Sequence, residues 1–363
     1  MYGFEPTEEQ QMLVDTIQKF AAKDLRQAAH EADEQGGFPA DVVRRGWELG
    51  VLQASIPEAY GGFGERSAVT GVLALEELAY GDPAGALAIL APATYAVPVL
   101  LAGTEEQKKA LLPPVIEGDW KPYTAAFLEP DFDFDPGEMR TVAERVNGGY
   151  VLKGAKTMVP FADGADGMLV YAACEGRTQA FVVSPKAEGV VIDGREKHLG
   201  LGAVPLFGVR FEDVRLAREA RLGGADGHDP APLLAAAGTA AAAVAVGLSR
   251  AAYEYALRYA KEREVFGTPI AQKQSIAFML AEMAIEIEAI RLLVWEAAWM
   301  ADVGKDASKA AYLAHTGAGD MAMRVTDGAV QILGGHGYIR EHPVERWYRT
   351  GRGVPLFAGL SMV

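Results

Sequence analysis

From Thr7 to about Trp120 apolar residues recur at spacings of three and four between polar ones, the period of helices with one buried face. "TEEQQMLVDTIQKFAAKDL" opens on Thr7 with Gln10 three residues on, a capping-box pattern. "PADVVRRGWELGVLQASI" keeps the spacing until "IPEAYGGFG" breaks it, and "SAVTGVLALEELAY" stops at Gly81-Asp82-Pro83. The run "GALAILAPATYAVPVLLAG" (85–103) is almost long enough to span a bilayer. Pro92 and Pro98 interrupt it and no basic residues flank it, which predicts a buried core helix or helix pair.

Beyond about Lys121 the period changes. "TVAERVNGGYVLKGAKTMV" holds two alternating stretches around Asn147-Gly148-Gly149, a hairpin signal. "GMLVYAAC", "QAFVVSP", "GVVIDG" and "LFGVRFEDVRL" add short β-type runs, together predicting a β-barrel or sandwich domain. Helical spacing returns near Asp229 with an alanine-rich stretch and two more long segments, each ending at Gly. The pattern predicts an α+β chain in three parts: a helical domain (1–120), a central β domain (121–225) and a four-helix bundle of three long helices and a short terminal one (226–363).

Composition narrows the function classes. A net charge of −15 repels phosphate backbones and anionic lipid, which argues against nucleic-acid and membrane-surface roles. Cys174 is the only cysteine, so neither an internal disulfide nor a cysteine metal cage is possible. With no signal peptide at the N-terminus, the expected compartment is the cytoplasm.

Two stretches carry candidate chemistry. In "YAKEREVFGTPIAQKQ" (259–274) an arginine precedes an aromatic-glycine turn, which sets a guanidinium beside a tight bend and suits a diphosphate. An Arg–carboxylate pair at a plain helical corner would read the same. In "AVQILGGHGYIREHPVERWYR" (329–349), Gln331 lies just before Gly334-Gly335-His336-Gly337, where bare backbone could approach a ligand. A glycine-terminated helix would look similar, and His336 has no second histidine at metal-ligand spacing.

In this order and within an α–β–α plan, these stretches resemble the acyl-CoA dehydrogenase family. "GTEEQKKALLPPVIEGDW", "GYVLKGAKTMV" and "RFEDVRL" extend the resemblance over the whole chain. It implies FAD, an acyl-CoA substrate desaturated at the α,β bond, tetramers, and electrons passed to an electron-transferring flavoprotein. It also implies that Arg263, Phe266, Gln274, Gln331, Gly334 and Gly335 reach the adenosine diphosphate end of a neighbour's FAD.

The chemistry needs a carboxylate to take the α-proton. Ala358 takes the place of the family's usual Glu, so no catalytic residue is expected here. The other location used in the family falls near Ala237, and no carboxylate lies between Pro230 and Arg250. Where members read T-E-P and G-x-G-S-D, this chain reads "LEPDFDFDPGE", and W-I-T becomes Met158-Val159-Pro160. Leu128 replaces a hydroxyl, Phe132 and Phe134 are expected to fill the pocket, and Asp131 and Asp133 to place charge against the cofactor. The resemblance thus implies the subunit without a base in a heterotetrameric (α2β2) enzyme, a type associated with steroid side-chain acyl-CoA. A self-sufficient FAD enzyme with another base, and a non-enzymatic acyl-CoA-binding scaffold, stay open. The apolar end "GLSMV" is expected to be covered by a partner.

Overall fold

The computed structural model describes residues 6–363. Its N-terminal helices are α1 (Glu8–Phe20), α2 (Arg26–Gln35), α3 (Ala40–Trp47), α4 (Val51–Ala54), α5 (Ala68–Gly81), α6 (Pro83–Ile89), α7 (Ala93–Ala102), α8 (Glu105–Leu111) and α9 (Pro113–Ile116). The Thr7–Gln10 capping box forms in both directions, and a second one, Thr104–Gln107, starts α8. The segment after Pro39 is two helices rather than one: Gly50 at φ 74° turns the chain into the left-handed region and splits α3 from α4. The apolar run around residue 90 is the expected helix pair, bent by 55° and buried, with Pro98 inside α7.

Seven strands then form one curled sheet: β1 (Tyr123–Ala126), β2 (Val142–Val146), β3 (Gly149–Pro160), β4 (Gly167–Cys174), β5 (Arg177–Val183), β6 (Val190–Arg195) and β7 (Leu206–Ala217). The order is β1-β4-β2-β3-β7-β6, with β5 on β4. Asn147 and Gly148 link β2 to β3 as the hairpin signal predicts. A separate apolar core, including Tyr150, Leu152, Val170, Phe181 and Val209, fills the curl. β3 bulges between Lys156 and Val159, where Met158 takes φ 52°; the irregularity re-aims this stretch relative to its partner strand.

The C-terminal part is a bundle of α10 (Ala231–Glu262), α11 (Gln274–Asp302) and α12 (Ser308–Leu333), followed by the short α13 (Gly335–Tyr338) and α14 (Val344–Gly351). A two-stranded hairpin, β8 (Glu264–Val265) and β9 (Thr268–Pro269), joins α10 to α11. α10 is long and apolar enough to cross a bilayer, but most of it is buried among the protein's own helices, as in the core helix of a globular bundle. Its alanines let α5 and α12 pack close against it.

Gly247 marks the tightest point. A Cβ there would lie 2.2 Å from the Glu76 carbonyl oxygen and 2.8 Å from the Ala79 Cβ. Gly247→Ala gains about 1 kcal/mol of helix propensity. Because the obstacle is backbone, overpacking of about 1–3 kcal/mol outweighs that gain. A lower urea midpoint at unchanged m-value is the expected result.

The apolar tail has a different fate from the one expected. Leu360, Met362 and Val363 are buried within the chain itself. Val363 packs over Gly71 of α5, and Arg66 donates to its carbonyl at 2.7 Å. The helical domain and the bundle cover this segment without a second chain, because the 3₁₀ turn Val354–Gly359 folds back along α10 and α12.

Candidate functional site

Two hollows lie at opposite ends of α10. At its C-terminal end, Arg263 caps the helix, its N–H donating to the Tyr259 carbonyl at 2.8 Å, and its own carbonyl accepts from Ile270 N–H at 2.8 Å. Those bonds anchor the β8–β9 hairpin. Phe266 (φ 55°) and Gly267 (φ 76°) both take the positive φ of a type I′ turn. Phenylalanine is an uncommon residue for that conformation, and here it stands almost fully exposed.

α12 ends nearby at Gly334, with φ 57° and ψ −126°, a region essentially closed to other residues. Among the described residues, chain neighbours aside, nothing lies within 4 Å of a Cβ built on Gly334 or Gly335, so bare backbone faces open space. Arg263, Phe266 and Gly334 line a hollow of about 560 Å³ together with Tyr259, Lys273 and Ser275. Gln274, the first residue of α11, lies between Lys273 and Ser275 without lining the hollow itself; Gln331 is exposed one turn before Gly334.

Among the described residues no ion pair engages Arg263 or Lys273; Lys273 Nζ donates to Thr268 Oγ1 at 2.8 Å. Two cations, one open hollow and no lining carboxylate make an anion-accepting end on an otherwise acidic protein. Sequence reasoning missed Lys273, Ser275 and Tyr259. Lys273 directly precedes a chosen residue, but only the fold shows that it joins Arg263. Tyr259 is further tied to this end by a 3.0 Å hydrogen bond with His336 Nδ1, and His336 stacks on His342 with ring centres 5.1 Å apart.

The other hollow is almost closed. Ala237 and Ala358, the two positions where a base was sought, line one cavity of about 10 Å³ with Thr94, Phe127, Tyr171 and Met362. Such a space is barely one water wide. No carboxylate lines it. The Tyr171 hydroxyl is buried without a hydrogen-bond partner, and burial drives its pKa well above the usual phenolic value. Leu128 of the β domain packs against Gly359 of the cavity lining, 2.7 Å from where a Gly359 Cβ would stand.

The loop after β1 corrects two expectations. Phe132 fills nothing, being fully exposed, while Phe134 packs edge-on against Phe127 with centroids 5.5 Å apart. Asp131 and Asp133 are both paired with Arg140, the latter at 2.8 Å, which neutralises part of the charge expected there. Behind the loop, the fully buried Lys156 donates to Glu129 at 2.9 Å and to the Phe127 carbonyl at 3.0 Å. Burial lowers Lys156 to about 8. Burial also raises the Glu129 carboxyl, but Lys156 and the Arg140 and Thr141 contacts outweigh it and hold Glu129 below its ordinary value. The pair braces the loop; it lines neither hollow.

Comparison with known proteins agrees with this architecture. Family models for the N-terminal, middle and C-terminal domains of acyl-CoA dehydrogenase match residues 7–119, 124–214 and 234–363. The caffeyl-CoA reductase–Etf complex subunit CarC of Acetobacterium woodii is 35% identical over 98% of this chain and 96% of its own length. The mitochondrial short-chain specific acyl-CoA dehydrogenase of Bos taurus is 33% identical over 98% of this chain and 88% of its own. The structure of butyryl-CoA dehydrogenase from Megasphaera elsdenii superposes with a TM-score of 0.89 at 32% identity, covering 99% of this chain and 96% of that one. With all three domains matched in order and the fold shared end to end, the chain belongs to the acyl-CoA dehydrogenase family.

Proposed function

We propose that this chain is the subunit of a heteromeric acyl-CoA dehydrogenase that completes a homologous partner's FAD site and performs no desaturation itself. One contrast carries the reading: the diphosphate-end hollow measures about 560 Å³, whereas the cavity at the base positions measures about 10 Å³. Arg263 and Ala237 are 26 residues apart on one helix, so roughly 40 Å separates the two ends. That is farther than an extended dinucleotide reaches, so the anion-accepting end serves a flavin whose ring lies in another chain.

FAD is the family's cofactor, and its two ends fit this chain unequally. Arg263 would pair with the diphosphate, and the bare Gly334–Gly335 backbone leaves room for the adenosine. The flavin end does not fit: Leu128, Met158 and Pro160 offer it no side-chain hydroxyl, and Pro160 has no N–H to donate. When bound, FAD supplies hydride acceptance from the substrate β-carbon. This chain's residues hold its far end, and no group at Ala237 or Ala358 can move a proton.

An apolar stripe on α11, exposed Phe278, Ile285 and Leu292 at seven-residue spacing, supports a helix-packed α2β2 assembly. Acyl-CoA of the bulky steroid side-chain type as substrate, and an electron-transferring flavoprotein as acceptor, complete the proposal. The latter is supported by the Etf complex to which the Acetobacterium relative belongs. The closed acyl cavity counts against both a self-sufficient enzyme and a free acyl-CoA scaffold.

Purified alone, the chain should be colourless. Co-expressed with a homologue that carries the glutamate, it should yield about one flavin per pair of chains. Arg263→Ala in that complex should weaken flavin retention roughly tenfold, read by absorbance after gel filtration. One flavin per protomer in the isolated chain would overturn the assignment.

A further inference from the structure

Arg263 and Lys273 both line the hollow at the C-terminal end of α10, and backbone bonds tie them to one frame. Ile270 N–H donates to the Arg263 carbonyl at 2.8 Å, and the Ile270 carbonyl accepts from Lys273 N–H at 3.0 Å. The Lys273 ammonium is held in turn by Thr268 Oγ1 of β9, at 2.8 Å. That partner is a neutral hydroxyl, so it positions the charge and neutralises none of it. Two ammonium protons are left to donate elsewhere.

Lys273 does nothing for the helix it begins. It is the N-cap of α11 and has the extended conformation of an N-cap, yet no side chain caps that helix. Lysine has no acceptor to offer the free N–H groups of the first turn, and its charge opposes the positive end of the helix dipole. Other helices here are started differently: Thr7, Ser67 and Thr104 begin α1, α5 and α8 with side chains that accept from the first turn. A residue that breaks this local rule on the wall of a binding hollow, with no gain to the fold, points to a ligand as its reason.

We infer that Lys273 pairs with one phosphate of the bound diphosphate while Arg263 pairs with the other, so that this end selects a diphosphate over a monophosphate. The role rests on the half-site proposed above and adds to it the group that counts phosphates. The diphosphate of a dinucleotide carries one negative charge on each phosphate, and two cations with no lining carboxylate match that pattern. Much of the remaining wall is apolar, including Val265, Ile270, Ile276 and Leu333, and offers a second phosphate no other cation. With Arg263 alone, one phosphate would be paired and the second would gain little.

Isothermal titration of the full chain with ADP and with AMP tests this. ADP should bind at least roughly tenfold more tightly than AMP. Lys273→Ser should bring the two within about twofold of each other, because the second phosphate loses its cation. The same variant should raise the urea midpoint of the ligand-free chain, since serine caps α11 and the opposed charge is gone. Lys273→Arg should keep the ADP preference. A lysine present for structure alone would give the reverse in Lys273→Ser, a lower midpoint with the preference intact, and that result would overturn the role. If Arg263→Ala weakens ADP binding while Lys273→Ser leaves the preference unchanged, the half-site stands and the part given to Lys273 falls. ADP binding that neither variant alters would remove both.

Discussion

Arg250→Met should cost about 3–5 kcal/mol of folding stability, because it strands one buried carboxylate, Glu77, and takes one of two partners from another, Glu76. Glu76 and Glu77 on α5 are each nearly inaccessible to solvent, and both are paired to Arg250 of α10, Glu77 at 2.7 Å. Arg291 of α11 reaches Glu76 at 3.0 Å, so Glu76 keeps one partner in the variant while Glu77 keeps none. Glu77 already has one carboxylate oxygen buried without a hydrogen bond. Burial raises the Glu76 pKa even with both arginines in place, their attraction offsetting it only in part. A carboxyl whose folded pKa is raised binds its proton more readily in the folded state, so stability grows as pH falls through that pKa toward the ordinary carboxyl value. The Arg250→Met deficit should therefore be largest at neutral pH and shrink below it. Urea melts of both proteins across that range give the measurement. A deficit independent of pH would mean that lost packing over Tyr80, not stranded charge, sets the cost.

The three-part fold was legible in the sequence because its signals are local. Capping at Thr7, the Asn147-Gly148-Gly149 turn and the change of period near Lys121 each act within a few residues. The split at Gly50 was missed because the apolar spacing continues across it; the break lies in one glycine's φ. Within the candidate site, Ala237 and Ala358 were chosen separately, and the fold brings both to one cavity. What the sequence could not supply is volume. Phe127, Leu233 and Met362 are ordinary apolar residues in the chain, and only their convergence shows the cavity to be closed. The fate of Phe132 and Phe134 was equally hidden, since one bond rotation decides whether an aromatic ring fills a pocket or faces water. The buried tail was misread for a related reason: an uncharged end looks exposed until α5 and α10 are placed over it.

Ala358→Glu tests whether a carboxylate at this position is all that the proposed non-catalytic role leaves out. The substitution supplies the carboxylate that the resemblance leads one to expect at that position, and if the acyl site were otherwise intact, it should support desaturation. The geometry argues against it. The cavity offers about 10 Å³, less than the added methylenes and carboxylate occupy, and Met362, Phe127 and Tyr171 surround it. Its hydroxyls offer little: Thr94 donates to the Ala91 carbonyl at 2.7 Å and Ser361 to the Phe357 carbonyl at 2.9 Å, which leaves, among the described residues lining it, the Tyr171 hydroxyl free to donate. Overpacking and a poorly paired carboxylate should together lower stability by about 2–4 kcal/mol. Acyl-CoA-dependent reduction of an artificial electron acceptor should stay at background, both for the chain alone and with added FAD. Ala358→Gln, equal in size but uncharged, separates the two costs: a smaller loss than for the carboxylate measures the charge, and an equal loss assigns the effect to volume. Turnover above background in Ala358→Glu would show that the cavity opens to an acyl chain, and would count against the proposed non-catalytic role.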